Sequence, residues 1–307
     1  LSLRPGESVI AGQGGLHGFM GWKRPILTDS GGYQVLSLHP RITERELVFR
    51  STYDGSEVRL SPERSVAIQE ALGSDIAMVL DVPIALPAER VATQDAMMRT
   101  LRWAERSKVA HRRTDRALFG IVQGGADPAL RTESARETAD IGFPGFGIGG
   151  LAVGETADER NRAIEPVVAE LPDRAVRYVM GLGDTEGILD AVARGVDLFD
   201  CVLPTRLARH GKALTRDGDV SIKRSEWLED ESPIEAACSC PVCTRYGRSY
   251  LRHLIRTNEP TGARLLTVHN LAYMYRLMDD IRSHVADATF RDWSAEVVVR
   301  RAMGRGV

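Results

Sequence analysis

The sequence predicts an α/β protein, most of an eight-stranded parallel TIM barrel with a metal site in its C-terminal third, and three observations point there. From Pro25 onward short β-rich runs alternate with helical ones, the pattern of parallel strands joined by crossover helices. A polar or small residue stands at or near the carboxyl end of every predicted strand: Asp29, Asp81, Gln123, Gly149-Gly150, Gly181 and Asp200. Three cysteines, Cys238, Cys240 and Cys243, crowd into one short stretch, with His269 downstream.

The strands are expected near residues 26–28, 76–80, 117–122, 145–148, 175–180 and 197–202, and the helices near 61–72, 91–111, 128–141, 157–171 and 185–193. Ser61 can cap the first of these helices while Pro62 takes its first position. Residues 41–59 break the rhythm, with Thr52-Tyr53-Asp54-Gly55 resembling a hairpin turn inserted after the first strand. Parallel strands of this number fit an open doubly wound sheet or most of a barrel. An open sheet gathers ligands only at its switch point, whereas a barrel brings all its strand ends to one face. Functional residue types at every strand end therefore favour the barrel, whose first strands would precede Leu1.

At 307 residues, 43% hydrophobic and 27% charged, the chain can bury a large core as one large domain or two. Its apolar runs are too short to span a bilayer and it opens on no secretion signal, so a cytoplasmic protein without membrane contact is expected. A net charge of -2 argues against sequence-independent coating of nucleic acid, which needs many phosphate contacts. Any RNA contact must then be local.

Zinc takes thiolate and imidazole ligands in a tetrahedron, and Cys238, Cys240, Cys243 and His269 fill it with no position left for water or substrate. One structural zinc is therefore expected. The alternative of disulfides fits poorly: four cysteines in 307 residues do not make a disulfide-stapled scaffold, and such close neighbours are awkward to bridge. Cys201 lies apart and reads as a packing residue.

Asp29 and Asp200 each follow an apolar run, which delivers a carboxylate to the top of the sheet. Two carboxylates at one site can divide labour, one attacking an anomeric carbon and the other moving a proton. Taken alone, each reads first as structural, Asp29 as a turn cap and Asp200 as a partner of Arg206, and only together with Asp81, Gln123 and the paired glycines does the functional reading prevail. Gly124-Gly125 and Gly149-Gly150 follow strands and leave backbone groups open to a ligand. Beside Asp81 and Gln123 they make a plausible purine reader: a carboxylate accepts from ring N–H and amino groups, while an amide and backbone N–H donate to a carbonyl.

Asp29-Ser-Gly-Gly-Tyr-Gln, Gly149-Gly150-Leu151-Ala152-Val153-Gly154-Glu155, Phe199-Asp200-Cys201-Val-Leu-Pro-Thr-Arg206 and the zinc ligands follow one another in this order over nearly the whole chain. Together they closely resemble the queuine-type tRNA-guanine transglycosylases of bacteria. That resemblance implies one domain over residues 1–307, an irregular (β/α)8 barrel with a zinc subdomain at about residues 225–275. It implies exchange of guanine at the wobble position of tRNAs with GUN anticodons for preQ1 or a related 7-deazaguanine, in queuosine biosynthesis, by a homodimer.

By matching position, the resemblance makes Asp200 the nucleophile at ribose C1′ and Asp29 the general acid and base. Ser30, Gly31, Gly32, Asp81, Gln123 and Gly150 would hold the base. Leu151 would offer its carbonyl to the aminomethyl group of preQ1, and Tyr33 and Met180 would sandwich the ring. RNA contacts would come from Gly181, Leu182, Gly183, Asp184, Thr185, Glu186 and Gly187, and from Thr205, Arg206, Leu207, Ala208 and Arg209. Arg245, Arg248, Arg252 and His253 form a basic set that suits either a phosphate track or a solvated face.

The chain departs from the family pattern at three places. Val82-Pro83-Ile84-Ala85 follows Asp81 where Glu-Cys-Thr-Pro is usual, which points to an altered base preference such as queuine. Leu207 stands where asparagine is frequent. The family's first barrel segment is missing before Leu1, and a truncated sequence is the expectation. A noncatalytic zinc-bearing subunit that positions tRNA is the competing reading, and it leaves Asp29 and Asp200 without a purpose. The archaeal relatives acting outside the anticodon usually carry further C-terminal RNA-binding domains, and this sequence ends at Val307.

Overall fold

The computed structural model describes residues 1–85, 87–151 and 156–304. The chain divides into two compact units, Leu1–Met180 with Arg194–Phe199, and Gly181–Ala193 with Asp200–Val307.

The first unit begins with α1 (Glu7–Gly12) and α2 (Gly15–Met20), then β1 (Leu27–Thr28) and α3 (Gly32–Leu36). The antiparallel strands β2 (Arg41–Ile42), β3 (Leu47–Arg50) and β4 (Glu57–Leu60) follow, with β3 and β4 joined as a hairpin through Ser51–Ser56. Then come α4 (Pro62–Leu72), β5 (Ile76–Met78), α5 (Arg90–Ala110), β6 (Ala117–Val122), α6 (Pro128–Ile141), β7 (Gly145–Ile148), α7 (Ala157–Glu170), β8 (Val176–Val179) and β9 (Leu198–Phe199).

The parallel sheet runs β1-β5-β6-β7-β8-β9, so spatial order follows chain order without reversal. A doubly wound sheet reverses at its switch point, whereas a barrel adds each strand beside the last. The sheet is thus a half-barrel of parallel strands, as the pattern of strand ends predicted. β6 and β7 span the expected residues, whereas β5, β8 and β9 stop short of the expected carboxyl ends. In β9 the reason is local: the Val202 carbonyl accepts from the Arg206 N–H, so the chain is already turning into helix.

Helix boundaries follow side-chain chemistry. The Ser61 hydroxyl accepts from the Arg64 N–H at 3.2 Å with Pro62 next in line, and Gly73 closes α4 at a φ of 71° that a side chain would strain. Asp127 caps α6 by accepting from Ala129 and Leu130 N–H groups, and Thr156 and Glu159 form a reciprocal capping box on α7. At the amino end of the sheet the Asp75 carboxylate takes the Ile26 N–H at 2.8 Å, His17 at 2.9 Å and Arg116 at 2.9 Å, tying β1, β5 and α2 together. The hairpin sheet buries Leu47, Phe49 and Leu60 against Val35, Leu80, Val82 and Trp103, which backs the chain on either side of Asp81.

The second unit holds α8 (Thr185–Ala193), α9 (Leu203–Arg209), the antiparallel pair β10 (Lys212–Ala213) and β11 (Val220–Ser221), and α10 (Arg248–Arg256), α11 (Pro260–Ala286) and α12 (Phe290–Gly304). Its core joins Ala208, Ala213, Ile222, Leu251, Ile255 and Leu266 to the three clustered cysteines. The fully buried Asn270 fastens α11 to this core, accepting from Leu214 N–H at 2.8 Å and donating to the carbonyls of Pro204 and Lys212. Among the described residues no helix is long and apolar enough to cross a membrane.

Candidate active site and metal centre

Asp29 follows β1 directly, and its Oδ1 accepts from the Ser30 N–H at 2.8 Å. The Ser30 hydroxyl accepts in turn from Gly32, and Gly31 at φ 91° bends the chain into α3. Ser65 on α4 donates to the Ser30 carbonyl at 3.0 Å and fixes this loop from behind. Tyr33, the next side chain, is 60% exposed. A cavity of about 630 Å³ opens beside Asp29, with Ser30, Gly31 and Gln34 in its wall. The turn-capping geometry and the exposure to a cavity coexist in Asp29.

Asp81 and Gln123 are brought together and buried. The Gln123 Nε2 donates to Asp81 Oδ2 at 2.6 Å. Glycines make the room: a Cβ on Gly149 would lie 2.7 Å from Gln123 Nε2, one on Gly150 2.5 Å from its Oε1, and one on Gly32 3.0 Å from Asp81 Oδ1. Burial, and then the negative charge of Asp29, push the Asp81 carboxyl up to about 7 against the opposing Gln123 hydrogen bond. Leu151, directly after Gly150, is buried, and Met180 Sδ lies near the Gly147 backbone. The Ala152-Val153-Gly154-Glu155 part of the expected motif falls outside the described residues.

Three supports of this pair carry no motif and escaped the sequence reading. The Thr100 hydroxyl on α5 accepts from the Val82 N–H at 3.0 Å, and the Ser134 hydroxyl on α6 accepts from the Gln123 N–H at 3.1 Å. Arg131, fully buried on α6, donates to the carbonyls of Val122 and Gly125, so a guanidinium brackets Gln123. Serine, threonine and arginine on a helix are too common to stand out, but a polar residue among the inward positions of α6 was the available signal.

Asp200 follows β9 directly and is exposed, with Oδ1 accepting from the Gly181 N–H at 2.8 Å. A Cβ on Gly183 would lie 2.2 Å from that of Cys201, so this short segment packs flat against the residue after Asp200. Cys201 is half-buried, its Sγ accepts from the Leu203 N–H at 3.2 Å, and burial pushes its thiol up. Of the residues expected to face RNA, Gly181, Arg206 and Arg209 are exposed. Asp184, Glu186, Thr205 and Leu207 are half-buried, and Leu182, Gly183, Thr185, Gly187 and Ala208 are buried, so these last can only shape the backbone. Arg248 is held by Asp230, the Ile234 carbonyl and the Trp227 ring, and Arg252 by the Arg224 carbonyl, which gives both a structural task.

Cys238, Cys240, Cys243 and His269 form a buried group whose ligand atoms all lie within 4.8 Å of one another. His269 Nδ1 stands 3.8, 3.6 and 3.3 Å from the three sulfurs in chain order. A zinc tetrahedron with bonds of about 2.3 Å to sulfur and about 2.0 Å to nitrogen has such edges at about 3.5 Å. His269 Nε2 sits 2.9 Å from the Leu214 carbonyl, which calls for the proton on Nε2 and leaves Nδ1 a free lone pair. Burial holds the imidazole below its usual range, so it is neutral at pH 7, as a ligand must be. Burial, with the neighbouring Cys240 and Cys238, pushes the Cys243 thiol up to about 12, and a bound dication reverses that by stabilising the thiolate. The residues fit a closed structural zinc.

Two expectations follow. An unfolded aspartate titrates near ~3.9, so between that pH and about 7 the folded protein keeps a proton at Asp81 that the unfolded chain has released. The contribution of this carboxyl to stability therefore falls as pH rises through that window and is level above it. Asp81→Asn should gain stability relative to the parent between about pH 5 and about pH 8, by an amount on the order of 1–3 kcal/mol in denaturant midpoints. A difference independent of pH would show that Asp81 ionises normally. For the metal, Cys240→Ser should lose zinc by elemental analysis and make residues 225–275 protease-sensitive, a loss on the order of several kcal/mol. A zinc-free protein that resists protease as the parent does would remove the structural role.

Comparison with known proteins agrees with this arrangement. A family model described as queuine tRNA-ribosyltransferase matches residues 1–303. A queuine tRNA-ribosyltransferase of Thioalkalivibrio sulfidiphilus is 50% identical over 304 residues, covering 98% of this chain and 82% of the relative. Similar relatives of that description come from Pelotomaculum thermopropionicum, 48% identical over 95% of this chain and 80% of its own length, and from Thermus thermophilus, 47% identical over 100% and 80%. With the match running through strand ends and metal ligands alike, this chain belongs to the queuine tRNA-ribosyltransferase family.

Proposed function

We propose that this chain is a tRNA-guanine transglycosylase, a pentosyltransferase that exchanges guanine at the anticodon wobble position for preQ1 or a related 7-deazaguanine. The observation that carries the reading is the buried Asp81–Gln123 pair, at 2.6 Å, set among strand-end glycines. Each group satisfies the other, and a guanine edge offers both a better partner. The Asp81 carboxylate accepts from ring N1–H and the amino group, while Gln123 Nε2 and the Gly150 N–H donate to the carbonyl. Since the carboxylate is the accepting form, base affinity should rise with pH through about 7. Ser30, Gly31, Gly32, Tyr33, Leu151 and Met180 complete the base site in this reading.

The chemistry is a double displacement. The Asp200 carboxylate attacks ribose C1′, the glycosidic pair departs to guanine N9, and Asp29 supplies the proton there. The incoming deazaguanine gives its N9 proton to Asp29 and attacks C1′, which frees Asp200. One glycosidic bond replaces another, so no energy source is required. The Gly181 N–H donates to Asp200 Oδ1 and shares the carboxylate charge until attack. The wobble base must leave its stack, which costs little in a single-stranded loop. Residues 181–187 and 205–209 are the RNA-contacting stretches, with Arg206 and Arg209 exposed on α9.

In the same reading residues 1–307 are one transglycosylase domain with the zinc subdomain at 225–275, and the enzyme is cytoplasmic. Val268, Leu271 and Tyr275 leave an apolar stripe exposed along α11, which supports a homodimer joined near the zinc region. Pro83 stands where the family pattern has cysteine, and the preceding Val82 is buried and held at its N–H by Thr100, which favours a shifted preference among deazaguanines.

Denaturing electrophoresis with unmodified tRNA and a purine analogue that traps the ester should show a shifted covalent band, absent from Asp200→Asn. A band that survives this change, or never forms in the parent, would remove the nucleophile. In competition among preQ1, queuine and guanine for incorporation, the preference should move away from preQ1, and an unaltered preQ1 preference would overturn that part.

A further inference from the structure

Arg301, on the last helix, has a buried side chain that none of the expected motifs contains. Its guanidinium reaches four partners in the second unit: Glu186 Oε1 through Nε at 3.0 Å, Asp219 Oδ1 through Nη2 at 2.8 Å, and both the Thr215 carbonyl and the Tyr273 hydroxyl through Nη1. The Arg301 side chain is 3% exposed, so the guanidinium is desolvated, while its partners Glu186 and Asp219 stay 26% and 34% exposed. The Tyr273 hydroxyl in turn lies 3.0 Å from Thr185 Oγ1, also buried. Thr185 and Glu186 are the first two residues of α8, and Arg301 therefore grips α8 at its start.

What that grip fixes is a short strap. Asp184 caps the same helix, its carboxylate accepting from the Gly187 N–H at 2.7 Å. Upstream, Leu182 is buried and Gly183 lies against Cys201 with no room for a side chain. The strap ends at Gly181, whose N–H holds Asp200 Oδ1 at 2.8 Å. With three residues between its two anchors, the strap has little slack, and a shift of the α8 start is passed to the Gly181 N–H. Both Arg301 and Tyr273 reach it from helices far along the chain.

We infer that Arg301, with Tyr273, is a positioning residue for the reaction: it sets the start of α8 and through the Gly181–Gly183 strap orients the Asp200 carboxylate for attack. The inference rests on the reading of Asp200 as the nucleophile. A lysine would keep the charge, but a single ammonium cannot serve a carboxylate on either side, a carbonyl and a hydroxyl together. The loss should appear in the chemical step, where small misplacements are costly, and not in RNA binding.

The test is the single-turnover rate of covalent RNA–enzyme adduct formation, measured beside tRNA affinity and the thermal midpoint. Arg301→Lys and Tyr273→Phe are compared with the parent and with Asp200→Asn. Both variants should form the adduct about 10- to 100-fold more slowly with tRNA affinity within about twofold of the parent. Tyr273→Phe loses only a hydroxyl, so it stays informative if Arg301→Lys folds poorly. Parent-like adduct rates in a folded variant, or a rate loss matched by equal loss of tRNA affinity or of folded protein, would overturn the inference. An adduct that persists in Asp200→Asn would instead remove the nucleophile reading beneath it, and the two failures are distinguishable.

Discussion

The structure of the first unit depends on how the backbone is satisfied where parallel strands end. A strand that leaves the ladder exposes N–H and C=O groups, and a buried one left unpaired costs a large part of a protein's net stability. Here side chains of the crossover helices meet that need one strand at a time. Ser65 takes up the Ser30 carbonyl, Thr100 the Val82 N–H, Ser134 the Gln123 N–H, and Arg131 the carbonyls on either side of Gln123. Gln69 does the same one step earlier, bonding both backbone groups of Met78 and the Thr28 hydroxyl. Helix side chains thereby hold the backbone beside Asp29, Asp81 and Gln123, and the last two pair with each other at 2.6 Å.

The second unit solves a related problem with ions. Its core contains three thiols and an imidazole arranged as metal ligands, and a buried guanidinium beside two partly exposed carboxylates. Desolvated charges gain stability only when geometry and hydrogen bonding are complete, and they are expensive when a partner is lost. Both clusters therefore narrow the allowed positions of the elements they join. His269 couples the metal ligands to Leu214 just after β10, and Arg301 couples α12 to α8 and to the β10–β11 turn.

Much of this was legible beforehand. The alternation of strands and helices, the capping residues Ser61 and Pro62, the hairpin near Asp54-Gly55 and the metal ligands lie in short local patterns whose physics is local too. The glycine pair at 149–150 could be read as an open backbone, but its actual service, room for the Gln123 amide, needs β6 and β7 to be neighbours. Leu182, Thr185 and Ala208 read as surface contacts from their motif, and the packing of the second unit buries them. Arg248 and Arg252 read as a basic face, and Trp227, Asp230 and the Arg224 carbonyl claim them.

The sequence by itself therefore determined the class of fold, the metal ligands and the two aspartates that follow β1 and β9, because periodicity, ligand type and strand-end position are properties of contiguous residues. Only the tertiary structure decided that Asp81 is buried against Gln123 and pushed up to about 7. It alone placed Arg131 behind Gln123 and Arg301 at the start of α8, 115 residues away in sequence from Glu186. Desolvation and hydrogen bonding between distant segments depend on which atoms packing brings together, and no local pattern in the chain records that.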